Sequence, residues 1–148
     1  MFRGSSFHTI DEKGRFAIPA RFRDILRASE VDGVTITTLD GCLKVYTREE
    51  WRKIEGRILD LAEKSDTMRR FRRWFIGRAC ECVCDKQGRV LISPVLRQYA
   101  EIGRDIVLVG VLDHFEIWDR NRWDEENAAL EEDMKMEDLK HQIAKLGL

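Results

Sequence analysis

Apolar and polar residues fall into two sets of short, strand-like runs. Val34-Thr35-Ile36-Thr37-Thr38-Leu39 and Ile106-Val107-Leu108-Val109-Gly110-Val111 are rich in β-branched residues. Turns at Asp40-Gly41 and Asp113-His114 lead from them into the apolar runs Leu43 to Tyr46 and Phe115 to Trp118, so each pair reads as a hairpin. Upstream of each hairpin, a short strand enters a glycine-containing turn, Lys13-Gly14 or Gln87-Gly88. An apolar strand follows and stops at one of the two prolines of the chain. Proline is tolerated in the first turn of a helix, and helical spacing follows both: Phe22, Ile25 and Leu26 in one case, Val95, Leu96 and Tyr99 in the other.

These parallels form an internal repeat. Asp11-Glu12-Lys13-Gly14-Arg15-Phe16-Ala17-Ile18-Pro19-Ala20-Arg21-Phe22-Arg23 returns as Asp85-Lys86-Gln87-Gly88-Arg89-Val90-Leu91-Ile92-Ser93-Pro94-Val95-Leu96-Arg97. Further on, Leu43 to Trp51 matches Phe115 to Trp123 in the same order. Thr47 and Glu50 form a capping box that opens a helix with the apolar face Trp51, Ile54, Ile58 and Leu61, and Asp119 caps its counterpart, with Trp123 inside. Between the halves, Ser65 or Asp66 caps a helix with Met68, Phe71, Trp74 and Phe75 on one arc, expected to be buried, and Arg69, Arg70, Arg72 and Arg73 on the other. The predicted fold class is α+β, with two tandem β-rich repeats of the form β-β-α-β-β plus helix. The expected divisions are 1–64, a basic connecting helix at 65–79, 80–130, and an acidic helical tail at 131–148. Each repeat is too small to cover its own sheet, so the halves are expected to pack on one core.

The 148 residues are 43% hydrophobic and 36% charged, enough apolar content for one or two small folded domains. The apolar runs are too short for a membrane span, and the opening residues lack a signal-peptide core, so the chain reads as cytoplasmic, without membrane association. The formal net charge of -1 conceals an uneven distribution. Residues 1–29 carry six basic side chains against three acidic ones, residues 65–104 nine against four, and residues 119–148 five against nine.

Candidate chemistry is sparse. Cys80, Cys82 and Cys84 alternate, which puts them on one strand face, but metal sites favour paired C-x-x-C spacing and a fourth ligand. Cys42 is placed in a hairpin loop, and His8, His114 and His141 have no ligand spacing, so no metal and no cofactor are expected. Ser5, Ser6, His8 and Asp11 contain the letters of a hydrolase triad but crowd one short segment without the glycines of a nucleophile elbow. With no phosphate-binding glycine motif either, the chain is expected not to be an enzyme and to have no small-molecule substrate.

The opening Met1-Phe2-Arg3-Gly4, the doubled D-x-x-G-R signature and Leu91 to Ala100 closely resemble the MraZ family, regulators of bacterial division and cell-wall gene clusters. The likeness spans the chain up to about Ala129; Ser93 stands where many relatives carry proline. The resemblance implies an AbrB-like swapped-hairpin double unit, a homo-oligomeric, octamer-like ring, and nucleoid-associated DNA binding. It further implies repression of the family member's own operon through short direct repeats in double-stranded promoter DNA.

The motif suits that role. Gly14 and Gly88 permit a tight turn, and Arg15 and Arg89 begin the next strand, where a guanidinium fork can hold phosphate or reach guanine. Arg3, Lys13 and Lys86 are expected to add phosphate donors near the same edge. Asp11 and Asp85 either serve that surface or simply pair with Arg15 and Arg89 to lock the turns. The arginine run at 69–73 reads as a solvated face or a subunit contact. The alternative from another class is a structural or protein-interaction ring whose basic edge meets an acidic partner.

Overall fold

Six strands form one antiparallel sheet and two more form a separate ribbon across it, in a computed structural model that describes residues 1–29, 33–61 and 65–148. In chain order the elements are β1 (Ser5–Thr9), β2 (Arg15–Ala17), α1 (Ala20–Arg27), β3 (Val34–Leu39), β4 (Cys42–Thr47), α2 (Arg48–Leu61) and α3 (Asp66–Gly77). Then come β5 (Cys80–Cys82), β6 (Arg89–Leu91), α4 (Pro94–Tyr99), β7 (Asp105–Gly110), β8 (His114–Asp119), α5 (Arg120–Asp133) and α6 (Glu137–Ala144). The large sheet runs β1-β7-β8-β4-β3-β5, and the ribbon is β2-β6.

Strands of one half pair with strands of the other. β1 lies on β7 with Phe7 opposite Val107, and β5 lies on β3 with Glu81 opposite Thr35. β4 meets β8 through Leu43–Ile117 and Val45–Phe115, and β2 meets β6 through Arg15–Leu91 and Ala17–Arg89. Exchanging the two halves carries each of these registers into another of them, which is the signature of a pseudo-twofold axis passing between β4 and β8. The sheet therefore cannot be divided between the repeats without breaking hydrogen bonds.

Alternation along the strands sorts side chains to two faces. Ile36, Leu43, Val45, Ile106, Leu108, Phe115 and Ile117 face inward, where Phe16, Ile18 and Phe22 from one half and Val90, Ile92 and Leu96 from the other close over them. Both halves thus share one core, with Phe22 ringed by Phe2 and Phe115 at 5.3 and 4.9 Å. The opposite face is covered on one side by Trp51 and Phe75 over Tyr46, and on the other by Trp123 over Trp118. A polar band lies between these covers: Lys44 bridges Asp40 and Glu116 at 2.8 and 3.0 Å, and Trp118 Nε1 donates to Glu116 at 3.1 Å.

Local sequence accounts for the helix starts. Ser93 Oγ accepts from Leu96 N with Pro94 in the first turn, Ser65 Oγ accepts from Met68 N, and Asp119 accepts from Asn121 and Arg122. Thr47 Oγ1 accepts from Glu50 N, while the Glu50 carboxylate is held by Lys53 at 2.7 Å.

Several expectations are corrected. Val95 is 60% exposed, because the one-and-a-half-turn α4 seats only Leu96 and Tyr99 on the core. Met68 is 38% exposed at the outer end of its arc, whereas Phe75 is buried. Cys42 opens β4 and is fully buried rather than sitting in a loop, and β8 already begins at His114. Cys80, Cys82 and Cys84 are half-buried against the core. The expected boundary at residue 64 and the side chain of Leu61 lie outside the described residues. Among the described residues no helix is long and apolar enough to cross a membrane.

Candidate nucleic-acid interface

The two D-x-x-G-R turns are built alike. The Asp11 carboxylate accepts from the backbone N–H groups of Lys13 and Arg15 at 3.0 and 2.8 Å, and its second oxygen accepts from Arg15 Nε at 2.7 Å. Asp85 does the same for Gln87, Arg89 and Arg89 Nε, each at 2.9 Å. The Arg15 and Arg89 backbone N–H groups lead in holding the two carboxyls below their ordinary pKa. Each aspartate thus fixes its turn and at the same time holds its arginine through Nε. The Nη atoms of both arginines are left without a partner among the described residues.

Crossed hydrogen bonds tie the turns to the ribbon. Gly14 O accepts from Ile92 N at 2.8 Å, and Gly88 O accepts from Ile18 N at 3.0 Å. Because Phe16 and Val90 point to the core, the alternate positions Arg15, Ala17, Arg89 and Leu91 share the outer face of β2-β6. Arg15 and Arg89 are diagonal neighbours there, about 7–8 Å apart at the backbone. A cleft beside the ribbon is lined by Arg15, Arg89, Arg97 and Arg104 together with Asp11 and Glu12. Its pseudo-symmetric counterpart holds Arg23, Arg27, Asp85 and Lys86.

Lys13 and Lys86 stand exposed on the turns. Arg3 does not join them. It lies beside Gly110 at the start of β1, with that strand, about 13 Å of extended backbone, between it and the Asp11 turn. Ser6 Oγ and His8 Nε2 meet at 2.7 Å, but Asp11 is committed to its turn, so no triad assembles.

Arg97 and Arg23 also belong to the turns, although the sequence pattern singles out neither as a site residue. Arg97 Nε donates to Ile92 O at 3.1 Å, and its guanidinium lies where a Gly14 side chain would be; Arg23 occupies the matching place over Gly88. Both end the repeated motif at equivalent positions, and that was the available signal.

A duplicated α+β chain with strands exchanged about a pseudo-twofold axis, carrying one arginine turn per half, defines the class of protein. The family model described as MraZ protein matches it twice, at residues 1–73 and 75–144. The chain belongs to the MraZ family. It is 57% identical to the transcriptional regulator MraZ of Desulforapulum autotrophicum over the full length of both, and 54% identical to that of Desulfosudis oleivorans, again over both whole chains. The transcriptional regulator MraZ of Syntrophobacter fumaroxidans is 45% identical over 83% of this chain and 82% of its own.

Proposed function

We propose that this chain is a sequence-specific DNA-binding transcriptional regulator that represses its own division and cell-wall operon from short direct repeats in the promoter. The observation that carries the reading is the ribbon, on which two aspartate-anchored arginines share one outward face with Nη atoms left for phosphate or base. Lys13 and Lys86 supply phosphate contacts on either side, and Arg97 and Arg104 deepen the positive cleft. The relatives' names point to the same class of activity.

In this reading residues 1–64 and 80–130 are the two repeats, 65–79 the connecting helix and 131–148 the tail. One ribbon is small beside the roughly 1,000 Å² of a specific protein–DNA interface, so several ribbons on a homo-oligomeric ring engage successive repeats.

Fluorescence anisotropy on the chain's own upstream DNA, across a salt series, tests the assignment. Replacing Arg15 and Arg89 by alanine is expected to lower the salt slope by about 2 for each ribbon engaged if both hold phosphate. If instead one reads a base, discrimination at one operator position falls by about 1–3 kcal/mol. A folded double variant with unchanged affinity and slope refutes the site. Moving one repeat by half a helical turn is expected to reduce affinity toward that of a single repeat; an unchanged footprint refutes multivalent spacing.

A further inference from the structure

The helical covers on the outer face of the large sheet are unlike in charge and lie toward opposite edges. α3 packs over β3, near the β5 edge, whereas α5 packs over β7 and β8, near the β1 edge. The β2-β6 ribbon lies across the other face, so neither helix shares its surface.

α5 is seated at its start, where Trp123 meets Trp118 at 5.8 Å, and none of its fourteen residues is buried. Its stripe of Trp123, Asn127, Leu130 and Met134 follows helical spacing, and Leu130 and Met134 are 49% and 46% exposed. A groove opens between that stripe and the sheet, lined by Asp40, Glu116, Trp118, Glu126, Leu130 and Asp133. Lys44 offsets one charge by bridging Asp40 and Glu116, while no basic side chain among the described residues pairs with Glu126 or Asp133. The groove is therefore acidic with an aromatic and aliphatic wall.

α3 presents the complement. Arg70 and Arg73 are exposed one turn apart, with no acidic partner among the described residues. Arg69 is already paired with Asp66.

We propose that α3 of one copy docks in the α5 groove of the next, with Arg70 and Arg73 facing Glu126 and Asp133 and their aliphatic stems lying along Trp123 and Leu130. Basic helix and acidic groove lie toward opposite edges of one molecule, so the contact is head-to-tail, the kind that closes into a ring when its rotation permits. The inference deepens the assembly part of the proposed function and rests on it. Because the pairs are exposed, added salt weakens the contact, and the ribbons stay clear of it for DNA.

Light scattering coupled to gel filtration on the full chain tests it with R70E/R73E, with E126R/D133R, and with their equimolar mixture. Each variant alone opposes like charges at the contact and is expected to run well below the wild-type mass, whereas the mixture pairs opposite charges both ways and recovers that mass. If wild type assembles and either charge-reversed variant keeps its mass, or the mixture fails to recover it, the docking surfaces are wrong although assembly stands. If wild type is a monomer, the assembly reading fails and this inference with it. Circular dichroism confirms folding, and should R70E/R73E not fold, R70Q/R73Q is expected to show partial loss of mass; unchanged mass in that variant overturns the proposal.

Discussion

Replacing each turn glycine by alanine separates backbone strain from crowding. Gly14 and Gly88 have φ of +90° and +74°, a region that costs an L-residue roughly 1–2 kcal/mol. At Gly14 the new methyl would lie 2.9 Å from the Arg97 guanidinium and 2.9 Å from the Ile92 carbonyl oxygen. That carbonyl belongs to the backbone just beyond β6 and moves only if the ribbon shifts, which adds about 1–3 kcal/mol. At Gly88 the methyl would meet Arg23, with Nη1 at 2.7 Å, and a long side chain can swing aside. Both substitutions gain about 0.4–1 kcal/mol from a less flexible unfolded chain, and this cancels in the comparison. Gly14→Ala is therefore expected to lose about 2–5 kcal/mol before that gain and Gly88→Ala about 1–2. Urea unfolding at one protein concentration reads the difference as a lower midpoint for Gly14→Ala at similar m. Equal losses, or a larger loss at Gly88, would refute the reasoning, since the Ile92 carbonyl would then be no harder to displace than the Arg23 side chain.

Two further outcomes follow from the interior. Burial opposes ionisation of Glu116, but the His114 ring 3.7 Å away, the Lys44 ammonium at 3.0 Å and the Trp118 N–H outweigh it and hold its pKa at about 2, against 4.5 in the unfolded chain. Its contribution of about 3 kcal/mol is thus fully present above pH 4.5 and disappears as pH falls toward 2; Glu116→Gln is expected to flatten that limb in denaturant titrations, and identical pH slopes would count against it. Phe22→Ala, at a fully buried ring touching Phe2 and Phe115, is expected to cost about 3–5 kcal/mol by urea unfolding, and a loss below 1 would mean that the shared core can collapse around the gap.

What the residues determine by themselves is local. The two hairpins, the caps at Thr47, Ser65 and Asp119 and the aspartate-held turns all depend on neighbours within a few positions, where spacing and side-chain chemistry suffice. The doubled D-x-x-G-R motif made Arg15 and Arg89 legible for the same reason. Only the tertiary structure decided that β1 pairs with β7 and β2 with β6, since strand pairing across about seventy to a hundred residues leaves no periodic trace in either strand. The positions of the remaining charges follow from that exchange. Arg97 lies over Gly14 and Arg23 over Gly88 because each half's α4 or α1 is carried to the other half's turn, whereas Arg3, close to Asp11 in sequence, is held at the far end of an extended strand. Lys44 reads as a surface residue from its type, yet it is buried between Asp40 and Glu116 because β8 brings the second carboxylate to it. Charge is set residue by residue, but whether it meets solvent, a carboxylate or a partner depends on which distant strand lies alongside.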